Sequence, residues 1–473
     1  MTWETVIGLE VHAQLNTNTK LFSDAPTRFG AAPNSQANLI DAGFPGTLPV
    51  FNKKALELAI QFGLAVQATI NQMSYFERKN YVYPDLPKGY QISQFRRPIV
   101  SDGHIMIPNA KGDLIRVDIV RAHLEEDAGK SIHTAQQTAI DLNRAGIPLL
   151  EIVTSPCLSS AHEVVTYLKT LNQLLRFLRV CDGNMQEGSF RCDVNLSLKR
   201  QNSAELGTRV ELKNLNSYRF IEKAIAFEQH RQAHLLDSNQ AVVQETRLYN
   251  ESNHTTVSMR DKESVCDYRY FPDPDLLPIF IDEDTHKRLR SSMPELPEAI
   301  RSRLAADGIS SDDMDYLLSS PALIKYYDTI KQHSRAPAKL IVNWLKGALT
   351  AELKEQQQTF ENIAVSAHAF ADLLDHLADK KIPDKLGKDI LKQLFQGDQT
   401  VPDLIAASGY QPQVAFDQAL LKDTLMAQFP QQIAQYRSGD QKILSFLIGQ
   451  AMKLTKGQVD PKDIAAFLVH ILG

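Results

Sequence analysis

One stretch near the N-terminus places an acid and an imidazole where both could hold one cation. In Ile7-Gly8-Leu9-Glu10-Val11-His12-Ala13-Gln14-Leu15, apolar and polar residues alternate, which predicts a half-buried strand. Successive side chains point to opposite faces of a strand, so Glu10 and His12 share the polar face. A carboxylate oxygen and an imidazole nitrogen there could ligate one cation. A half-exposed strand also turns polar residues toward water, and this stretch alone leaves both interpretations open.

Two further acidic stretches could complete such a site. In His123-Leu124-Glu125-Glu126-Asp127-Ala128-Gly129-Lys130, a predicted strand enters a turn, and alternation directs Glu125 and Glu126 to opposite faces. Glu151 ends a nearby apolar segment. Carboxylates and a histidine are compatible with Mg²⁺, which proteins usually hold together with water and substrate phosphates. None of the four cysteines forms a C-x-x-C pair, which argues against a zinc site.

Polar residues also alternate along two later predicted strands. Asp193, Asn195 and Ser197 share a face of the first, and Glu211 and Lys213 share a face of the second. These side chains could line the same pocket as the acidic stretches. They could equally be solvent-facing residues of a sheet, because the pattern is the same in both cases.

A basic and aromatic stretch could contact a nucleotide or an RNA end. Residues 78–94 interleave cations with tyrosines, and their prolines and glycine predict an ordered loop. Two later arginines could hold phosphates, although solvated surface charge is an alternative for each. The chain has no P-loop motif and no Rossmann fingerprint, so any ATP binds in another way. The expected nucleotide contacts are Lys79, Tyr81, Lys88, Arg247 and Arg260.

The elements that position these residues indicate an α+β fold. Short strands with turn residues between them suggest a largely antiparallel sheet with flanking helices over the first 292 residues. A helix near Ser160 begins with a capping box completed by Glu163. Helical patterns dominate afterwards, which predicts a helical domain over residues 293–405 and a small helical tail domain over residues 406–473.

Composition narrows the class of protein. A chain of 473 residues is too long for one hydrophobic core, which predicts more than one domain. Its 51 Lys and Arg and 56 Asp and Glu give a net charge of −5. This balance excludes binding of nucleic acid through basic tails, but it leaves a local basic patch possible. The few unpaired cysteines favour a cytoplasmic protein, and the sequence has neither a signal peptide nor an apolar run long enough for a membrane span.

These stretches together resemble the B subunit of the aspartyl/glutamyl-tRNA amidotransferase family. The resemblance extends in order along nearly the whole chain. Its motifs are Glu4-Thr5-Val6-Ile7-Gly8-Leu9-Glu10-Val11-His12, Arg78-Lys79-Asn80-Tyr81, Tyr90-Gln91-Ile92-Ser93-Gln94, Leu124-Glu125-Glu126-Asp127-Ala128-Gly129-Lys130, Asp141-Leu142-Asn143-Arg144, Gly188-Ser189-Phe190-Arg191-Cys192-Asp193-Val194-Asn195, Glu211-Leu212-Lys213-Asn214-Leu215-Asn216-Ser217, Asp267-Tyr268-Arg269-Tyr270-Phe271-Pro272-Asp273-Pro274-Asp275 and Ile448-Gly449-Gln450-Ala451-Met452-Lys453.

The resemblance implies one subunit of a heterotrimeric ligase and a fold of cradle, helical and tail domains. A separate glutaminase subunit would release ammonia, and a small third subunit would clamp the other two. The subunit that this chain resembles would bind a mischarged tRNA, and its tail domain would touch the tRNA body. With ATP and Mg²⁺, it would phosphorylate the side-chain carboxyl of Glu-tRNA(Gln) or Asp-tRNA(Asn). Channelled ammonia would then displace phosphate and form the amide.

Carried over residue by residue, the resemblance assigns roles to the acidic residues. The metal ligands would be Glu10, His12, Glu125 and Glu151, and Glu126 would lie at the mouth of the ammonia channel, where a carboxylate could take a proton from ammonia. Asp193 and Glu211 would be additional acids near the site. An alternative from another class is a tRNA-binding scaffold whose sheet carboxylates are structural and whose partner chain performs the chemistry.

The sequence departs from some relatives at one expected metal site. Members with zinc carry paired cysteines before the segment Gly43-Phe44-Pro45-Gly46, whereas this chain has Asn38-Leu39-Ile40-Asp41 there. We therefore expect no structural zinc.

Overall fold

The described chain forms two compact units. The structure is a computed structural model that describes residues 3–134, 136–259, 267–397, 399–410, 418–438, 440–455 and 461–472. Contacts between residues separate a first unit, Met1–Ile300, from a second unit, Arg301–Gly473. The predicted boundary at residue 292 and the further division at residue 406 stay predictions.

Within its described residues, the first unit contains the strands and five helices, the last of which continues across the boundary. Its strands are β1 (Trp3–Gln14), β2 (Thr69–Ile70), β3 (Met73–Ser74), β4 (Glu77–Asn80), β5 (Tyr90–Ser93), β6 (Val100–Pro108), β7 (Leu114–Glu126), β8 (Lys130–His133), β9 (Thr138–Asp141), β10 (Pro148–Thr154), β11 (Phe190–Arg200), β12 (Val210–Lys213), β13 (Glu245–Asn250), β14 (Thr255–Ser258), β15 (Phe271–Pro272) and β16 (Ile279–Phe280). Its helices are α1 (Lys53–Ala65), α2 (Ala161–Phe177), α3 (Tyr218–Asp237), α4 (Glu283–Ser291) and α5 (Pro297–Ala306).

The largest sheet in the described chain has nine strands in the order β14-β13-β12-β11-β1-β10-β7-β6-β2. Its pairs are antiparallel except for β12 and β13, which run parallel. Strands β15, β4 and β5 form a small separate sheet, and two further pairs are β16 with β3 and β8 with β9. This architecture confirms the predicted α+β fold with a largely antiparallel sheet.

Helices α1, α2 and α3 pack on one face of the large sheet and make the core of the first unit. The odd-numbered residues of β1 from Ile7 to Ala13, including Leu9 and Val11, are buried in this core. Alternation therefore turns Glu10 and His12 to the other face. The predicted serine cap is present at the start of α2, where the Ser160 hydroxyl accepts from the Glu163 N–H. The Glu163 carboxylate accepts from the N–H of Ser159, one residue before the cap, so the second bond of the predicted capping box is displaced by one residue.

The second unit is helical throughout its described elements. These are α6 (Ser311–Leu317), α7 (Pro321–His333), α8 (Ala338–Trp344), a π-helical turn (Leu345–Leu349), α9 (Thr350–Glu355), α10 (Ala367–Ala378), α11 (Asp384–Leu394), α12 (Val401–Ala407), α13 (Gln418–Gln428), α14 (Pro430–Arg437), α15 (Lys442–Leu454) and α16 (Pro461–Leu472). Helices α13 to α16 share an apolar cluster. In the part of the chain that the structure describes, no helix combines the length and apolar character needed to cross a bilayer.

Candidate functional site

Four neighbouring strands bring polar side chains into one row on the face opposite the core. In the antiparallel register, His12 of β1 lies opposite Arg191 of β11 and Glu151 of β10. Glu151 in turn lies opposite His123 of β7. Directly opposed residues of antiparallel strands project from the same face, so these four side chains are neighbours. Glu125 shares this face because it is two residues beyond His123.

Three of these residues form a compact set of possible metal ligands. His12 Nε2 lies 3.5 Å from a Glu125 carboxylate oxygen and 3.4 Å from a Glu151 carboxylate oxygen. One ligand atom from each residue lies within 4.8 Å of the others. We call His12, Glu125 and Glu151 the carboxylate cluster. Two carboxylates and an imidazole held this closely fit a divalent cation with a preference for oxygen, such as Mg²⁺.

The electrostatics of the carboxylate cluster reflect two acids that share one partly buried space. Burial and the charge of Glu151 raise the pKa of Glu125. Burial acts in the same direction on Glu151, but the imidazoles of His123 and His12 outweigh it and hold the pKa of Glu151 well below its usual range. Burial lowers the pKa of His12, yet Glu151 and Glu125 together raise it to about 9. The two acids thus have different proton affinities.

Glu10 lies on the same face but outside the carboxylate cluster. Its position in the register is opposite Val153 and Asp193, and its carboxylate accepts a hydrogen bond of 3.0 Å from the Asn195 side chain. The structure therefore brings together three of the four expected ligands and places Glu10 beside them.

The two additional acids named from the sequence are joined by one lysine. The Lys213 ammonium lies 2.7 Å from the Asp193 carboxylate and 3.0 Å from the Glu211 carboxylate. Burial disfavours the lysine charge, but these two acids raise its pKa above the ordinary value. Asp193 and Glu211 thus belong to an ion-pair network along the polar face.

Glu126 and Lys88, which the sequence analysis assigned to different roles, form an ion pair. The buried Glu126 carboxylate accepts from the Lys88 ammonium at 2.5 Å and from the Ile92 N–H at 2.9 Å. As alternation predicts, Glu126 does not join Glu125 in the carboxylate cluster. Its partners come from the loop before β5 and from β5 itself.

Lys79 and Tyr81 lie close to the carboxylate cluster. Burial lowers the pKa of Lys79, but Glu125 and Glu151 contribute to a net rise. Its ammonium lies 4.8 Å from the centre of the Tyr268 ring and 5.8 Å from that of Tyr81. The basic and aromatic stretch therefore supplies a cation beside the two carboxylates.

Of the last two expected nucleotide contacts, Arg247 is not brought to the carboxylate cluster. The Arg247 guanidinium bonds Glu245 of the same strand at 2.6 Å and the Thr256 hydroxyl of β14 at 2.8 Å. It lies 3.6 Å from Glu228 of α3. Arg260 lies outside the described residues.

Two side chains at the site were given no role by the sequence analysis. His123 Nε2 lies 3.4 Å from Glu151 and 3.9 Å from Glu125. Its spacing from Glu125 repeats the spacing of Glu10 and His12, which was the available signal. Arg191 is held by a 2.8 Å bond to the buried Asp127, and only the strand register reveals that it neighbours His12.

A cavity of about 210 Å³ adjoins Glu10 on this polar face. Its lining includes Gly8, Glu10, Asn195, Gly207 and Arg209. The backbone of Gly8 and Gly207 lines part of the cavity. The side chains of Asn195, Glu10 and the exposed Arg209 supply its polar groups. These groups could contact the polar parts of a nucleotide.

Comparisons with known proteins agree with this arrangement of two units. Residues 5–287 match the model of the GatB/GatE catalytic domain, and residues 325–472 match that of the GatB domain. Several similar proteins are named as the B subunit of aspartyl/glutamyl-tRNA(Asn/Gln) amidotransferase. The one from Legionella pneumophila (strain Lens) is 55% identical to this chain over the full length of both. The one from Nitrosococcus oceani is 46% identical over 99% of each chain. The one from Coxiella burnetii (strain RSA 493 / Nine Mile phase I) is 47% identical over 98% of each chain. These matches confirm the resemblance found in the motifs, and the chain belongs to the family of the aspartyl/glutamyl-tRNA(Asn/Gln) amidotransferase B subunit.

Proposed function

We propose that this chain is the subunit of a glutamine-dependent tRNA amidotransferase that converts a mischarged tRNA. Its substrate is Glu-tRNA(Gln) or Asp-tRNA(Asn), whose side-chain carboxyl is phosphorylated by ATP and then amidated by ammonia. The names of the full-length relatives support the reaction. The observation in this chain that carries the proposal is the convergence of His12, Glu125 and Glu151.

In this proposal the carboxylate cluster holds Mg²⁺. The fit rests on one imidazole and two carboxylates that approach one another although burial and like charge oppose this. When bound there, Mg²⁺ would offset the negative charge of the phosphoryl group during its transfer. Glu10 lies beside the carboxylate cluster and supports metal binding from there. Its carboxylate is held in place by a hydrogen bond from the Asn195 side chain.

Cations of the chain position the anionic groups of the substrates. Lys79 lies beside Glu125 and Glu151 in a mostly buried setting, where a positive charge acts more strongly than in water. It orients a carboxylate or phosphoryl oxygen without forming a covalent bond. The cavity next to Glu10 receives a polar part of the nucleotide, and Arg209 is among its lining residues. Phosphoryl transfer depends mainly on such positioning and charge stabilisation.

Glu126 acts on the second half of the reaction. Its carboxylate follows Glu125 directly in the chain but contacts Lys88 instead of the carboxylate cluster. In this position it accepts a proton from ammonia as the new carbon–nitrogen bond forms. Lys88 orients that carboxylate through a charge-assisted hydrogen bond.

The remaining parts of the proposal concern assembly and location. A glutaminase subunit supplies ammonia, and a small third subunit completes a cytoplasmic heterotrimer. Residues 1–292 form the cradle, residues 293–405 the helical domain and residues 406–473 the tail that contacts tRNA. The shared apolar cluster of α13 to α16 supports a separate tail.

Amidation by the assembled enzyme tests the proposal. The chain is co-expressed with the glutaminase and the small third subunit, and the conversion of Glu-tRNA(Gln) and Asp-tRNA(Asn) is measured with and without Mg-ATP. We expect amide formation that requires Mg-ATP and is lost in Glu125→Gln. The matched control is Glu163→Gln, which alters an acid at the start of α2. Full activity of Glu125→Gln would instead favour the scaffold alternative, in which a partner chain performs the chemistry.

A further inference from the structure

A solvent-facing turn beside the carboxylate cluster has the composition of a nucleic-acid contact. We call Phe95-Arg96-Arg97 the Phe95 turn. It begins two residues after the end of β5 at Ser93. All three residues are exposed, and 47% of Phe95 is accessible to solvent. An exposed aromatic ring followed by two arginines is the composition of surfaces that stack bases and contact phosphates.

The backbone of the Phe95 turn is fixed from beneath by buried polar groups. The fully buried Glu77 carboxylate accepts from the N–H groups of Phe95 at 3.1 Å and of Arg96 at 2.8 Å. The buried Ser74 hydroxyl donates to the Arg97 carbonyl. A buried carboxylate that accepts from two backbone N–H groups holds the turn in one conformation. The exposed side chains are therefore presented on a rigid base.

An aromatic stack and one further arginine border the turn. The rings of Phe95 and Tyr270 are stacked, with centres 4.5 Å apart and planes inclined by 10°. The Arg121 guanidinium lies 6.0 Å from the centre of the Phe95 ring. An Arg96 nitrogen lies 3.5 Å from the Tyr270 carbonyl oxygen. Aromatic surface and three arginines thus occupy one small area.

The position of the turn relates it to the carboxylate cluster. The Ser93 hydroxyl contacts the Glu125 carboxylate at 3.4 Å, and the Gln94 side-chain carbonyl accepts from the Leu124 N–H at 3.0 Å. Phe95 follows Ser93 by two residues, which corresponds to about 7 Å of extended chain. A molecule that binds the turn can therefore reach the cluster with one nucleotide unit.

We propose that the Phe95 turn binds unpaired nucleotides at the end of an RNA. A base stacks against the Phe95 and Tyr270 pair, and Arg96 and Arg97 contact the adjoining phosphates. A paired duplex does not offer free base faces, whereas single strands are bound by aromatic rings with neighbouring cations. The identification of that RNA as the aminoacylated end of a tRNA rests on the proposed function.

Binding of two RNA probes by the full chain tests the inference. The probes are a short unpaired RNA oligonucleotide and a blunt RNA duplex of equal length, measured by fluorescence anisotropy. In Phe95→Leu we expect about tenfold weaker binding of the unpaired probe, because one stacked base is lost. Binding of the duplex should not change. Phe29→Leu is the matched control, since it removes an exposed ring from another loop.

A second variant examines the phosphate contacts. With Arg96→Gln and Arg97→Gln together, the slope of log affinity for the unpaired probe against log salt should fall in magnitude by about 1.4, or about 0.7 for each lost contact. Phe95→Leu should leave this slope unchanged, because a ring releases no counterions. These two readouts separate stacking from charge.

Three results would overturn the inference. The first is unchanged affinity of Phe95→Leu for the unpaired probe. The second is an equal loss for the duplex, which would indicate a general electrostatic surface. The third is weakened association with another subunit while RNA affinity stays constant, which would make the turn a protein interface. Wild-type amidation, assayed separately, distinguishes each of these results from failure of the proposed function.

Discussion

Replacing Lys20 by methionine should markedly destabilise the first unit. The Lys20 side chain is fully buried, and its ammonium donates to the Asp41 carboxylate at 3.1 Å and to the Leu142 carbonyl at 3.0 Å. Asp41 also accepts from Ser23 and from the Asn38 N–H. This pair ties the long irregular segment between β1 and α1 to the loop that precedes β10.

The expected magnitude follows from burial. In Lys20→Met, the Asp41 carboxylate stays almost inaccessible to water without its cation, and breaking such a pair costs about 3–5 kcal/mol. The first unit spans residues 1–300. With an unfolding entropy of about 2.1 cal/mol/K per residue, this loss lowers the Tm by about 5–8 °C. Methionine keeps the unbranched shape, so little of the effect comes from a cavity.

A second substitution in the Lys20→Met background should restore stability. Asp41→Asn removes the unpaired charge and retains an oxygen that can accept from Ser23 or the Asn38 N–H. We therefore expect the double variant to be more stable than Lys20→Met alone, although Asp41→Asn by itself destabilises the wild type. Thermal and urea unfolding of the four proteins measures the cycle. If the two losses simply add, or if Lys20→Met costs less than about 1 kcal/mol, the buried-pair argument fails.

Three further predictions concern the site, the tail and the thiols. Glu125→Gln should weaken Mg²⁺ binding by more than about 100-fold and Glu10→Gln by only about 10–100-fold, measured by calorimetry, because Glu10 lies beside the carboxylate cluster. Equal losses would contradict this placement. Removal of residues 406–473 should weaken tRNA binding in a filter assay and leave subunit assembly intact; unchanged affinity would remove the tail from the tRNA contact. Iodoacetamide at about pH 8 should modify the exposed Cys157 in the folded chain and spare Cys181, because burial raises the pKa of the Cys181 thiol to about 12. Mass spectrometry identifies the modified residues, and labelling of Cys181 before Cys157 would contradict the prediction.

Local sequence determined the elements and the faces that their side chains occupy. Alternation over residues 7–15 predicted the buried and polar faces of β1, since strand geometry repeats every two residues. The capping box at Ser160 predicted the start of α2. Glu125 and Glu126 point apart for the same reason of alternation, and their different partners agree with it. The family motifs added the identity of the expected ligands.

Tertiary structure decided which of those ligands meet. The register of β1 against β10 places His12 opposite Glu151 and Glu10 opposite the apolar Val153, and no local pattern specifies this pairing. A shift of one residue would exchange the faces of a whole strand, so register is set by burial across the entire sheet. Arg247 shows the same limit: the sequence offered it as a phosphate contact, but packing brought it to Glu228 of α3 instead. Sequence therefore determined the candidates, while pairing of strands distant along the chain selected the carboxylate cluster from them.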